Sequence, residues 1–269
     1  MNEYLCSPFR WTSAHRSHVG KVRRLNEDSV FDKPGVGLWA VADGMGGHTG
    51  GDRASRLVVE ALETLPMPER LDSHVAAMIA KLETVNAGLY NESMRGGGYT
   101  ISGTTVAALL VHGRQGNAVW AGDSRIYLHR NNTLHALSRD HSQVEEWVAN
   151  GLLERDAADN HPAANVLTRA IGAVDSVEFD STRFDVLPGD TYLLCSDGLH
   201  NELNDAAIAR LLVDGDCERS AEQLLSAALE GDARDNISLV VIHAEAAQVD
   251  ATKTVLNPAI RNRGGALET

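Results

Sequence analysis

Acidic residues recur in this chain at places where a lone carboxylate is hard to keep. Glu27-Asp28, Asp43-Gly44, Asp123, Asp197-Gly198 and Asp235-Asn236 are spread across most of the sequence, and each falls at the expected end or edge of a β-strand. A bare carboxylate at the tip of a buried strand is costly to desolvate unless a cation or a hydrogen-bonding network compensates it. If the strand ends converge, the acids form an all-oxygen site suited to hard divalent ions such as Mg²⁺ or Mn²⁺. Taken singly, each Asp-Gly or Asp-Asn also reads as a turn, because turns select these residues for local hydrogen bonding. The inference belongs to the set.

The stretch Val41-Ala42-Asp43-Gly44-Met45-Gly46-Gly47-His48 shows the pattern most clearly. An apolar run over 36–42, broken only by Gly37, predicts a buried strand that ends on Asp43. The glycines that follow let the backbone turn sharply and let another group approach closely.

The elements that must position these acids can be read around them. The polar segment 19–29 reads as a loop. Apolar residues at Ala54, Leu57, Val58, Ala61, Leu62 and Leu65 share one helical face before Pro66, and 71–94 repeats the helical pattern. Gly96-Gly97-Gly98 breaks the chain, and 104–112 reads as a central strand. Segments 117–121 and 125–129 read as strands about the turn Gly122-Asp123-Ser124, which is hairpin spacing. A surface excursion spans 140–172, with one short helix at 142–150. Strands are expected at 177–184, 191–196 and 237–243, and helices at 205–212 and 218–230. Short turns join many neighbours, so the expected class is α+β, with mainly antiparallel sheet and helices segregated outside it.

The bulk composition excludes several classes. With 269 residues, 43% hydrophobic and 23% charged, the chain is of ordinary globular type, and its formal net charge of -13 argues against nucleic acid or an anionic membrane as a partner. Cys6, Cys195 and Cys217 are odd in number and form no CxxC pair, so neither a disulfide framework nor a thiolate zinc site is indicated. Segment 1–17 has no apolar core of signal-peptide length and no run is long enough to span a bilayer, which sets a cytoplasmic expectation. A dinucleotide loop after 36–42 is excluded by Asp43, whose charge would repel a pyrophosphate. There is no Walker lysine, GxSxG elbow or HExxH. His15 and His18 read as surface residues.

Arg23-x-x-Asn26-Glu27-Asp28, Asp43-Gly44-Met45-Gly46-Gly47-His48, Ser102-Gly103-Thr104-Thr105, Gly122-Asp123-Ser124-Arg125, Ser196-Asp197-Gly198-Leu199 and Asp235-Asn236 resemble, in order, the motif series of the metal-dependent protein phosphatases of type 2C, in its bacterial branch. The resemblance covers roughly residues 10 to 245. It implies a four-layer α-β-β-α sandwich of two mainly antiparallel sheets, with a catalytic domain over 1–246 and a flap near 140–172. It implies that Asp43 bridges two Mn²⁺ or Mg²⁺ ions, that Asp197 and Asp235 complete one ion's shell, and that Glu27 and the Gly44 carbonyl serve the other. Asp28 and Asn236 would stand one layer behind, with Asp28 fixing metal-bound waters. Arg23 would clamp the substrate phosphate, a role that a guanidinium fork suits, while its neighbour Arg24 reads as solvated. Asp123 would hold a weaker third ion. The implied reaction is hydrolysis of phosphoserine and phosphothreonine on proteins, reversing a bacterial serine/threonine kinase.

Two positions depart from the family pattern. Some members have a histidine directly after the Asp-Gly as proton donor to the leaving oxygen; here that residue is Met45, which leaves a metal-bound water or His48 for the task. Asn201 stands where relatives often carry an acid, and its amide offers one oxygen. In the flap, Asp140-His141-Ser142 and Leu167-Thr168-Arg169-Ala170-Ile171-Gly172 carry the resemblance, with His141 and Arg169 read as hydrogen-bonding the flap to the core. The tail 247–269 reads as disordered, with Thr252 and Thr254 as the residues a phosphothreonine-binding module would take. The rival readings are a catalytically idle phosphoprotein scaffold, and a phosphatase for a small phosphoester or an anti-sigma-type regulator.

Overall fold

The computed structural model describes residues 8–46, 50–66, 70–95, 102–158 and 161–247. His48 and the tail threonines lie outside them.

The run Leu38-Trp39-Ala40-Val41-Ala42 forms strand β3 (Leu38–Ala42), and all five residues are buried. Side chains alternate across a strand, so a run with no polar member needs a covering layer on both faces. Trp39 and Val41 point toward a second sheet, whereas Leu38, Ala40 and Ala42 point toward helices. β3 lies between β2 (Ser29–Lys33) and β6 (Val106–His112) in a five-stranded antiparallel sheet that continues through β7 (Gln115–Ala121) to β10 (Asp180–Asp185). The facing sheet is also antiparallel and five-stranded, in the order β1 (Phe9–His18), β12 (Ile237–Ala246), β11 (Thr191–Cys195), β8 (Arg125–Arg130), β9 (Thr133–Ala136). Trp39, Val41, Ala107 and Leu109 meet Ile126, Tyr192, Leu194, Val240 and Ile242 between the sheets.

Helices cover the outer faces. α1 (Gly50–Glu63) and α2 (Leu71–Arg95) bury Ala54, Val58, Leu62, Met78, Leu82 and Leu89 against one sheet. The other sheet is covered by α5 (Asp197–His200), α6 (Asp205–Leu211) and α7 (Cys217–Glu230), through Leu199, Ile208, Ala221 and Leu224. The result is an α-β-β-α sandwich. The excursion carries α3 (Gln143–Ala149), capped by Ser142, and α4 (Arg155–Ala158). A two-stranded ribbon, β4 (Gly44–Met45) with β5 (Gly103–Thr104), continues the sheet beyond Asp43.

The hairpin expected around Gly122-Asp123-Ser124 does not form. β7 pairs with β6 and β10, and β8 pairs with β11 and β9, so the three residues carry the chain from one sheet to the other. Gly122 makes the crossing at φ 112, with Thr105 so close that a Cβ there would lie 2.6 Å from the threonine's own Cβ. Both edges of β7 are already occupied, which leaves no edge for β8. Strands β1, β2 and β9 have no counterpart in the sequence reading, and the strand expected from 177 begins at Asp180.

Candidate active site

Asp43 follows the last residue of β3, and its main chain is clamped from β5 and the residue after it. Its N–H donates to Thr105 Oγ1 at 3.1 Å, and its carbonyl accepts from the Thr104 hydroxyl at 2.9 Å and the Thr105 N–H at 2.8 Å. Thr105 Oγ1 in turn lies 2.7 Å from Ser124 Oγ, which ties this strand end to the turn holding Asp123. The next residue must be glycine: a Cβ at Gly44 would lie 2.2 Å from the Gly51 carbonyl oxygen and 2.5 Å from that of Glu27.

The remaining acids arrive from both sheets. Asp197 opens α5 directly after β11, and its Oδ2 accepts from Asn201 Nδ2 at 3.3 Å. Asp235 precedes β12, where Arg23 Nη2 donates to its Oδ2 at 2.7 Å and the Asn236 N–H to its Oδ1 at 2.8 Å. Asn236 acts as a staple: its Oδ1 accepts from the Glu27 N–H at 2.8 Å, and its Nδ2 donates to the carbonyls of Val19 and Leu25, both at 3.0 Å. Asp28 is buried behind the group, with Ser196 Oγ donating to it at 2.9 Å. Together Arg23, Glu27, Asp43, Gly44, Asp123, Asp197 and Asp235 line one cleft of about 570 Å³, whose far wall is the flap through Asn165, Leu167, Thr168 and Arg169. Met45 lines the same cleft, and Arg24 is exposed beside it. His141 and Arg169 do bond the flap to the core, through Asp180.

The electrostatics of this cleft are those of acids without enough positive charge. Burial, and then repulsion from Asp28, Asp197, Asp123 and Asp235, raises the Asp43 carboxyl well above the ordinary aspartate range. Burial and neighbouring Asp197 and Asp140 do the same to Asp123. Asp28 is pushed up to about 7 by burial, against hydrogen bonds from Ser238 and Ser196, and Asp197 to about 6 by burial and Asp235. Glu27 Oε1, Asp28 Oδ1 and Asp197 Oδ1 are buried and accept no hydrogen bond among the described residues. Unsatisfied buried carboxylate oxygens call for a cation, so the donor set fits divalent metal. Among the described residues no three acidic, cysteine or histidine side chains close on a single point. Ions held here would therefore complete their shells with water and main-chain oxygen, as Mg²⁺ and its like do.

Ser196, Thr104, Thr105 and Ser124, small hydroxyls in or beside apolar runs, entered the sequence reading only as members of the family motifs, with no role of their own. Glu202 and His200 gave no signal at all. Glu202 shapes the loop before Asp235 by accepting from the Asp232 N–H at 3.0 Å and the Ala233 N–H at 2.8 Å. His200 is packed under the turn, its Nε2 3.1 Å from the Asp123 carbonyl. Burial lowers its pKa to about 4, so at neutral pH it donates as a neutral ring.

A sandwich that gathers acids from both sheets at one seam, beside an arginine and under a flap, defines a cation-dependent hydrolase centre of the phosphate-handling kind. Residues 16–231 match the family model described as protein phosphatase 2C, and the chain belongs to that family. It is 36% identical over 228 residues to the serine/threonine protein phosphatase PstP of Mycobacterium tuberculosis; the match covers 85% of this chain and 44% of PstP, so the chain spans less than half of that relative. Among solved structures it is similar to PppA of Pseudomonas aeruginosa, with 40% identity, a TM-score of 0.81 and coverage of 87% of this chain and 97% of that one. A PstP catalytic domain in complex with two manganese ions gives 34% identity, a TM-score of 0.78 and coverage of 87% and 98%.

Proposed function

We propose that this chain is a metal-dependent protein serine/threonine phosphatase that hydrolyses phosphoserine and phosphothreonine on proteins in the cytoplasm, opposed by a serine/threonine kinase. The observation that carries the reading is the convergence of Asp43, Asp197, Asp235, Glu27 and Asp123 on one cleft with Arg23, three of the acidic oxygens in and behind it having no hydrogen-bond partner among the described residues.

Asp43, Asp197 and Asp235, which line the cleft without meeting at one point, would draw in around one Mn²⁺ or Mg²⁺ with water completing its shell, and Asp43 with Glu27 and the Gly44 carbonyl would serve a second; Asp123 would hold a weaker third. Ions held there would supply an activated water and neutralise the phosphoryl oxygens. Arg23 now spends its guanidinium on Asp235; transferred to the substrate, the same fork grips two phosphoryl oxygens and fixes the ester. Asp28 and Asn236 keep Glu27 and Asp235 in register from behind. Met45 has no proton to give, so protonation of the leaving oxygen falls to His48 or to solvent. The flap wall of Asn165, Leu167, Thr168 and Arg169 faces the peptide on either side of the phosphoresidue.

The test is phosphate release from a phosphothreonine peptide, a phosphotyrosine peptide and a small phosphoester, each with Mn²⁺, with Mg²⁺ and with chelator. The expected result is chelator-sensitive release that favours the phosphothreonine peptide. Release that survives chelation, or that survives Asp43→Asn, would remove the assignment; preference for the small ester would favour the rival hydrolase reading.

A further inference from the structure

The flap is fastened to the cleft near both ends. Toward its C-terminal end Ile171 exchanges two backbone hydrogen bonds with Thr104, each 2.9 Å. At its start Arg125 holds Asp140 through Nε at 2.9 Å and Nη2 at 2.8 Å, and the next residue, His141, makes the contact with the Gly122 turn itself. His141 is 7% exposed and stacks on Trp120, with ring centroids 6.0 Å apart and planes at 19°. Its Nδ1 accepts from the Gly122 N–H at 3.2 Å, and its own N–H donates to the Gly122 carbonyl at 2.9 Å. It thus holds both polar groups of the glycine that precedes Asp123.

The rest of the ring points the other way. With Nδ1 accepting, the ring proton sits on Nε2, 3.1 Å from Asp180 Oδ2 on β10. The other Asp180 oxygen accepts from Nη1 of the cleft-lining Arg169 at 2.8 Å. The His141 carbonyl accepts from the Thr168 N–H at 2.8 Å. Two routes therefore lead from the cleft-facing flap residues to His141, and one leads from His141 to the turn. Gly122, at φ 112, has no side chain with which to hold its own conformation. A neutral imidazole is well matched to this place, because it offers an acceptor on one edge and a donor on the opposite edge; burial, opposed by Asp180, keeps its pKa below the ordinary value.

We propose that His141 is a positioning residue that pins the flap to the Gly122-Asp123-Ser124 turn, so that the position of the flap sets the position of Asp123 in the cleft. The catalytic consequence rests on the phosphatase reading; the linkage itself does not.

The full chain with Mn²⁺ tests it through four variants: His141→Gln, His141→Asn, Asp123→Asn and the double variant Asp123→Asn/His141→Gln. Glutamine reaches the Nε2 side and Asp180 but not Gly122; asparagine places an oxygen near Nδ1 and keeps the Gly122 bond. Amide exchange at Gly122 by NMR, and kcat and KM on nitrophenyl phosphate, are read on variants whose near-UV circular dichroism is that of the parent. In His141→Gln the Gly122 amide exchanges about tenfold faster and kcat falls about tenfold at unchanged KM, the scale of one lost hydrogen bond. His141→Asn keeps Gly122 protected and retains most of kcat. On the Asp123→Asn background, His141→Gln adds no further loss, because it acts through Asp123. Parental Gly122 exchange in His141→Gln overturns the pin, as do equal losses in the Asn and Gln variants or a full additional loss in the double variant. If the parent releases no phosphate from any substrate, the phosphatase reading fails, and Gly122 exchange in the two His141 variants still decides the linkage.

Discussion

Asp43→Asn should destroy activity and at the same time stabilise the metal-free protein. In the absence of cations Asp43 sits among Asp28, Asp197, Asp123 and Asp235, its carboxyl raised well above 3.8. The unfolded chain releases this proton first, so the stability the proton carries is complete below about pH 4 and is lost as pH rises toward the folded-state value. Each pH unit between the unfolded value of 3.8 and the raised folded-state value removes up to ~1.36 kcal/mol of that stability, and with relaxation around the charge the loss at neutral pH is roughly 1–3 kcal/mol. An asparagine amide mimics the protonated acid and carries no such cost. For a chain of this length ~1 kcal/mol moves Tm by about 2–4 °C, so the chelated variant should melt several degrees above the parent at about pH 7.5, the gap closing toward about pH 4. Adding Mn²⁺ should reverse the order, since saturation at ~100 times Kd contributes about 2.7 kcal/mol to the parent alone. Differential scanning calorimetry across pH, with chelator and with Mn²⁺, reads all of this. A chelated variant that melts below the parent at neutral pH, or a gap that does not shrink with acid, refutes the reasoning.

Other substitutions probe separate parts of the same structure. Arg23→Met should lower kcat/KM for a phosphopeptide by about 10–100-fold without weakening Mn²⁺ binding by calorimetry, because Arg23 now competes with cations for Asp235. Gly198→Ala puts a Cβ 2.0 Å from the Asn236 carbonyl oxygen; forcing apart Asp197 and Asp235 should lower Tm by an amount equivalent to about 1–3 kcal/mol and raise the Mn²⁺ concentration needed for activity. Far from the cleft, the 1% exposed Asp190 accepts from Arg130 Nε and Nη2 (both 2.7 Å), the Leu187 N–H (2.7 Å) and the Tyr192 hydroxyl (2.9 Å). Asp190→Ala leaves that arginine without its partner and should cost about 3–5 kcal/mol in urea unfolding while kcat at saturating Mn²⁺ stays at the parental level.

The sequence made legible whatever was encoded locally. The end of β3 could be read because five apolar residues stop on Asp43 and glycine follows; desolvation makes that order of residues informative by itself. The long helices α1 and α2 announced themselves by period, and the order of the acid motifs announced the family. What could not be read was pairing. Three residues between β7 and β8 fit a hairpin and a crossing between sheets equally well, and only the prior occupation of both β7 edges decides between them. β1 was missed because its burial comes from β12, at the other end of the chain. The hydroxyls of Ser196 and Thr105 became functional only when Asp28 and Asp43 arrived beside them. The flap's bonds to Asp180 were anticipated as hydrogen bonds, but the hold of His141 on Gly122 had no sequence signature.

The bonds that close the cleft join segments very far apart in sequence: Arg23 to Asp235 spans 212 positions, Glu27 to Asn236 spans 209, and Ser196 to Asp28 spans 168. During synthesis the N-terminal acids leave the ribosome long before the strand that completes their surroundings. A nascent or truncated product that ends before Asp235 would therefore carry Asp43 and Arg23 yet lack both Arg23's partner and the Asn236 staple on the Glu27 loop. The cleft is therefore assembled late, its acids meeting only when the last strand of the chain has paired.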